Sequence, residues 1–228
     1  MSIRHPIELN EWYHCFNRGV DKRTIFQSKS DYDRFLTLMY AGNRTLPIHI
    51  SNLKDKSLHA ILSDASIIDR GDPLVEIGTY CLMPNHFHFL LKEIRENGIP
   101  TFMQKIFTGY TMYFNKKYER TGALFAGPFK SKYVPEDDYF KRVISYVHLN
   151  PVELCEPRWK TGHGSIREIE DFLNNYRFSG LADFLGAKRP ENAIVAGSLS
   201  DFFDSIPSMT EMLTDAQEYY QDNIKARP

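Results

Sequence analysis

The stretch YCLMPNHFHFLLK, residues 80–92, decides how the chain folds. LVEIGTYCLM (74–83) reads as a strand, MPN as a turn, and HFHFLLKEI as the strand paired with it. Side chains alternate along a strand, so Phe87, Phe89 and Leu91 take one face and anchor it in a core. His86 and His88 share the other face, with Cα atoms roughly 7 Å apart. Such positions normally hold Val, Ile or Phe. Two imidazoles there are either hydrogen-bonded strand histidines or a pair able to reach one metal ion. Two are too few for a tight site, so the second reading requires a third ligand.

Working outward, EWYHCFN (11–17) reads as a first strand. SKSDYDRFLTLMYAG (28–42) opens on a Ser-x-x-Asp cap and spaces Phe35, Leu36 and Met39 as a helix. The pattern breaks over 45–73, which reads as an insertion with a short strand or helix of its own. A second helix is expected over 99–120, with Met103, Ile106, Phe107, Tyr110 and Phe114 on one side. A loop ending in a strand follows over 122–134. Residues 136–150 form a helix with an acidic first turn and a buried stripe of Phe140, Val143, Ile144 and Val147, stopped by Pro151. A helix near 165–176, the run YRFSGLADFLG and an amphipathic helix from about Ser208 complete the chain. The order strand, helix, strand, strand, helix, strand predicts an α+β fold: a ferredoxin-like antiparallel sheet with helices, plus a helical C-terminal extension.

At 228 residues, 42% hydrophobic and 14% aromatic, the chain has enough apolar surface to bury a sizeable core, which excludes a disordered protein. The net charge of -1 announces no nucleic-acid partner, but the charge is unevenly placed. Thr101–Val134 carries Lys105, Lys116, Lys117, Arg120, Lys130 and Lys132 against Glu119, a net of +5, whereas Gly186–Pro228 has a net of -3. No early apolar run suits a signal peptide and none approaches the roughly 20 residues of a membrane span. Cys15, Cys81 and Cys155 are an odd, scattered set that suits reduced thiols. These features predict a cytoplasmic protein without membrane contact.

The helix 136–150 offers the missing ligand. Tyr146 and Asn150 stand four apart and share a face. The Asn150 amide oxygen suits Mg²⁺ or Mn²⁺ and would bring the Tyr146 hydroxyl to the same place, although an asparagine before proline also suits a helix C-cap. Tyr139, two turns earlier, competes with Tyr146. Arg142, one turn before Tyr146, is a candidate to favour its phenolate or hold a phosphate, or else a solvated helix cation.

MPNHFHFLL resembles the His-hydrophobe-His strand of the HUH single-tyrosine transposases, the insertion-sequence-200-like family. The resemblance continues in YHCFNRGVDKRTIF, YFNKKYERTGALFAGPFKSKYV, YVHLNPVE and YRFSGLADFLG, a combination most similar to the REP-associated tyrosine transposase branch. It covers most of residues 12–186. It implies a catalytic domain over 1–155, with 45–73 as an insertion, and a helical extension over 156–228. It also implies His86, His88 and Asn150 as ligands of Mg²⁺ or Mn²⁺, and Tyr146 as the nucleophile that cuts and rejoins single-stranded DNA beside a hairpin. The same fold without chemistry would be a hairpin-binding protein. An RNA-binding ferredoxin-like module would instead present aromatics on its sheet. The expected DNA contacts are Lys105, Lys116, Lys117, Arg120, Lys130 and Lys132, with Lys188 and Arg189 from the extension. The resemblance leaves open a monomer or a homodimer that exchanges tyrosine helices.

Overall fold

The structure is a computed structural model that describes residues 6–46, 57–63, 71–135, 138–162, 164–195 and 199–225. Four antiparallel strands, β1 (Trp12–Arg18), β2 (Val75–Met83), β3 (His86–Glu93) and β4 (Lys130–Val134), form one sheet in the order β2-β3-β1-β4. This is the ferredoxin-like order expected from the sequence. The β2–β3 hairpin turns on Pro84 and Asn85, and its register sets Met83 opposite His86 and Cys81 opposite His88.

Helices α1 (Lys29–Gly42) and α3 (Gly98–Lys117) cover one face of the sheet. Phe87, Phe89 and Leu91 of β3 are fully buried there with Phe35, Met39, Ile106 and Tyr110. Each such ring or aliphatic side chain contributes roughly 1.5–3 kcal/mol on leaving water. Asp31 fixes the start of α1 by accepting from the backbone N–H groups of Gln27 and Ser28 at 2.8 and 2.9 Å. Glu93 does the same for α3, accepting from Gly98 and Ile99. Between α1 and β2, the short helix α2 (Leu58–Ser63) gives the expected insertion a helix, and the rest of that expectation over 47–56 and 64–70 lies outside the described residues.

Helix α4 (Asp138–Leu149) packs on the opposite face through Phe140, Val143, Ile144 and Val147, all buried as the stripe predicts. The acidic start expected at Glu136 and Asp137 lies outside the described residues. Pro151 ends the α-helix one residue earlier than expected, and Asn150–Leu154 continue as a 3-10 turn. Helices α5 (Ile166–Asn174), α6 (Leu181–Phe184) and α7 (Met209–Lys225) follow. Met212, Ala216 and Tyr219 of α7 are buried with the α4 stripe, so the C-terminal extension forms part of the second core. No described helix is long and apolar enough to cross a membrane.

Candidate active site

Strand alternation and sheet register together place Trp12, His14, Phe16 and Arg18 of β1 beside His86, His88 and Leu90 of β3, all toward α4. His86 and His88 stand with ring centroids 5.1 Å apart and planes at 89°. The ring of Tyr146 lies edge-on to His88 at 5.6 Å. Asn150 is buried at the end of the same helix, and its Nδ2 donates to the Tyr146 backbone carbonyl at 2.7 Å. Its Oδ1 is buried and has no hydrogen-bond partner. A buried acceptor without a hydrogen bond is costly, and the Asn150 side chain lies close enough to His86 and Tyr146 to influence the ionisation of both.

The hydrogen bonds of the two histidines leave one ring nitrogen of each toward the site. His86 Nδ1 hydrogen-bonds Asn85 Oδ1 at 2.6 Å, and because that oxygen only accepts, Nδ1 carries the proton and Nε2 keeps its lone pair. His88 Nδ1 is engaged by His14 Nε2 at 2.8 Å, which directs its Nε2 to the site as well. Burial holds both rings neutral, pushing His86 down to about 4 and His88 well below the ordinary histidine range. Neutral imidazole is the form that binds metal. Among the described residues no cluster of three His, Cys, Asp or Glu side chains is able to hold an ion. The donor set here is two imidazoles and one amide oxygen, and the unsatisfied Asn150 Oδ1 fits that role.

Burial pushes the Tyr146 phenol up to about 12, with the Asn150 amide opposing the rise. Tyr146 is therefore a phenol at neutral pH and needs a nearby cation to react as phenolate. Arg142 does not fill that place, because its guanidinium pairs with Glu218 at 2.8 Å and Asp222 at 3.5 Å on α7. Lys160 Nζ lies 5.9 Å from the Tyr146 ring centroid and 2.6 Å from Glu153. Tyr139 is turned toward Tyr219 and Lys132, with rings 5.4 Å apart.

A cleft of about 870 Å³ opens beside these residues, lined by Arg18, Lys22, Lys130, Lys132 and Lys160 against Glu153 alone among charged side chains. Its rim is the loop after Gly122, held to β1 where Ala126 N–H donates to the Arg18 carbonyl and Asn17 Nδ2 to Gly127 O. Gly19 allows the turn that carries Lys22, since a Cβ there would stand 2.3 Å from the Arg23 carbonyl oxygen.

The expected basic surface is split by the fold. Lys130 and Lys132 reach the cleft, but Lys105, Lys116, Lys117 and Arg120 belong to α3 and the turn after it, on the other face of the sheet. Lys105 donates to the Arg44 carbonyl, Lys117 pairs with buried Asp31 at 2.6 Å, and Arg120 holds Asn115 and the Ala123 carbonyl. Arg189 pairs with Asp183 and bonds the Ser179 carbonyl, so it braces the extension, while Lys188 is exposed beside it. Arg18, Lys22, Lys160, Glu153 and His14 were not singled out by the sequence. The alternation of YHCFNR held a signal for His14 and Arg18; Lys160 and Glu153 required the fold.

Residues 56–150 match the family model described as Transposase IS200 like, a segment that contains His86, His88, Tyr146 and Asn150. Over that segment the chain is similar to the IS200-like transposases that its motifs resemble. A solved structure of the REP-associated tyrosine transposase bound to a REP hairpin resembles the chain at 13% identity and a TM-score of 0.47, covering 91% of this chain and 98% of that one. No curated protein matches significantly.

Proposed function

We propose that this protein cuts and rejoins single-stranded DNA beside hairpins through a covalent 5'-phosphotyrosine at Tyr146, as a member of the REP-associated branch. The observation that carries the reading is the convergence of His86, His88, Tyr146 and the bare Asn150 Oδ1 on one sheet face, at the edge of a cationic cleft.

Residues 1–155 hold the candidate metal ligands and the nucleophile, and 156–228 add Lys160 and the helix that closes the second core. His86 Nε2, His88 Nε2 and Asn150 Oδ1 are the atoms that would hold Mg²⁺ or Mn²⁺. The chemistry such an ion supplies when bound is neutralisation of the charge that builds on the phosphate oxygens. Arg18, Lys22 and Lys130 follow the strand backbone and bring a phosphate to Tyr146. Lys160 leaves Glu153 for the phosphate and favours the phenolate. A bond forms between Tyr146 Oη and phosphorus, the bond to the 3'-oxygen breaks, and the phenol proton ends on that oxygen. The reverse step with another 3'-hydroxyl restores a phosphodiester and frees the tyrosine, so one tyrosine serves cutting and joining without an outside energy source. Action on single-stranded DNA places the proposed site of action in the cytoplasm.

The test is a denaturing gel of the full chain incubated with labelled single-stranded hairpin oligonucleotides and Mn²⁺. A covalent band lost with EDTA and in Tyr146→Phe is expected. Hairpin binding without a band across a broad panel would instead support a binding protein that lacks the chemistry.

A further inference from the structure

The α7 helix lies outside the family-matched segment, yet one of its side chains is wired to a candidate metal ligand. Tyr219 Oη lies 2.8 Å from His14 Nδ1, and His14 Nε2 lies 2.8 Å from His88 Nδ1. All three side chains are buried. The His14 ring is held against His88 with centroids 5.0 Å apart, and Phe16, Tyr146 and Tyr219 pack around it. Both nitrogens of His14 are used within this chain, and neither reaches the site itself.

Two proton arrangements satisfy three groups joined by two hydrogen bonds. In one, His88 Nδ1–H donates to His14 Nε2 and His14 Nδ1–H donates to the Tyr219 oxygen, which leaves His88 Nε2 with a lone pair. In the other, Tyr219 donates to His14, His14 donates to His88, and His88 Nε2 carries the proton and cannot ligate. The first matches the state that His86 already has through Asn85.

We propose that Tyr219 and His14 are positioning residues for the metal site, with Tyr219 acting through His14 to hold His88 as the Nδ1–H tautomer that ligates through Nε2. The C-terminal helix thus completes the site rather than merely covering it. This rests on the metal-site reading above.

The experiment is Mn²⁺ binding to the full chain by titration calorimetry, with thermal melts to establish folding, on wild type, Tyr219→Phe, His14→Phe and His14→Gln. Removing an outer partner of a ligating histidine weakens metal binding by about 10- to 100-fold. His14→Phe is expected in that range. Tyr219→Phe, which removes one oxygen, should lose less, and His14→Gln, whose amide oxygen accepts from His88, should regain part of the loss. His86→Ala establishes that the measured ion sits at this site. Binding in folded His14→Phe and Tyr219→Phe as tight as wild type would overturn the proposal and leave the metal site standing. If wild type binds no Mn²⁺, the metal-site reading fails. The relay is then decided on metal-free, ¹⁵N-labelled protein by long-range ¹H–¹⁵N correlation. His88 protonated on Nδ1, and disturbed by Tyr219→Phe, supports it; His88 protonated on Nε2 overturns it.

Discussion

The amide of Asn150 donates to the backbone carbonyl of Tyr146 at 2.7 Å and leaves its own oxygen buried and unpartnered. The hydrogen bond ties the end of α4 to the turn before Pro151, fixing where that oxygen lies relative to the tyrosine ring. Asn150→Ala removes the oxygen without disturbing the core stripe of α4. Its Mn²⁺ affinity is expected to fall by at least about tenfold, the lower bound for losing even an outer-shell partner, as read by titration calorimetry.

The cleft cations predict a salt dependence. Each phosphate neutralised on a single strand adds about 0.7 to the slope of log affinity against log salt. Arg18→Ala and Lys130→Ala should each lower that slope by roughly this amount in fluorescence-anisotropy titrations with a single-stranded oligonucleotide. Lys116→Ala, on the far face of the sheet, should leave it unchanged.

Asp31 is fully buried, yet hydrogen bonds from Lys117, Tyr118, Gln27 and Ser28 overcome the burial and hold its carboxyl below the ordinary range. A depressed folded-state value contributes stability that is present above the unfolded value near 3.9 and is lost as pH falls through the folded one. Asp31→Asn is expected to cost about 3 kcal/mol at neutral pH in urea unfolding. It should also flatten the loss of stability that wild type shows below about pH 4.

Arg142 is about one-third exposed and paired with two half-exposed carboxylates of α7. Such pairs contribute little through water, so Arg142→Ala should cost about 0.5 kcal/mol. Covalent adduct formation measured on the folded variant should stay within about threefold of wild type, whereas Lys160→Ala should reduce it by at least about tenfold.

The sequence made the sheet and the central constellation legible because both follow from short periods. Alternation by two put His86 and His88 on one face and Phe87 and Phe89 on the other, and spacing by four put Asn150 beside Tyr146. What it misplaced were relationships set across the sheet. Lys117 and Lys130 lie thirteen residues apart in one basic run, yet α3 covers one face of the sheet and Lys130 belongs to the cleft on the other. Arg142 has the right spacing to serve Tyr146, but the carboxylates that claim it come from α7, more than seventy residues later. His14 sits in EWYHCFN, which the sequence marks only as a strand, and its proposed role depends on the β1–β3 register and on Tyr219.

Tyr146 is the proposed nucleophile. The most direct measurement is mass spectrometry of the covalent protein–DNA adduct after nuclease trimming and tryptic digestion. A nucleotide remnant joined through its 5'-phosphate to Tyr146, in the peptide spanning Val143 to Arg158, is predicted. A remnant on Tyr139, Tyr219 or Tyr220, or an adduct that persists in Tyr146→Phe, would contradict it.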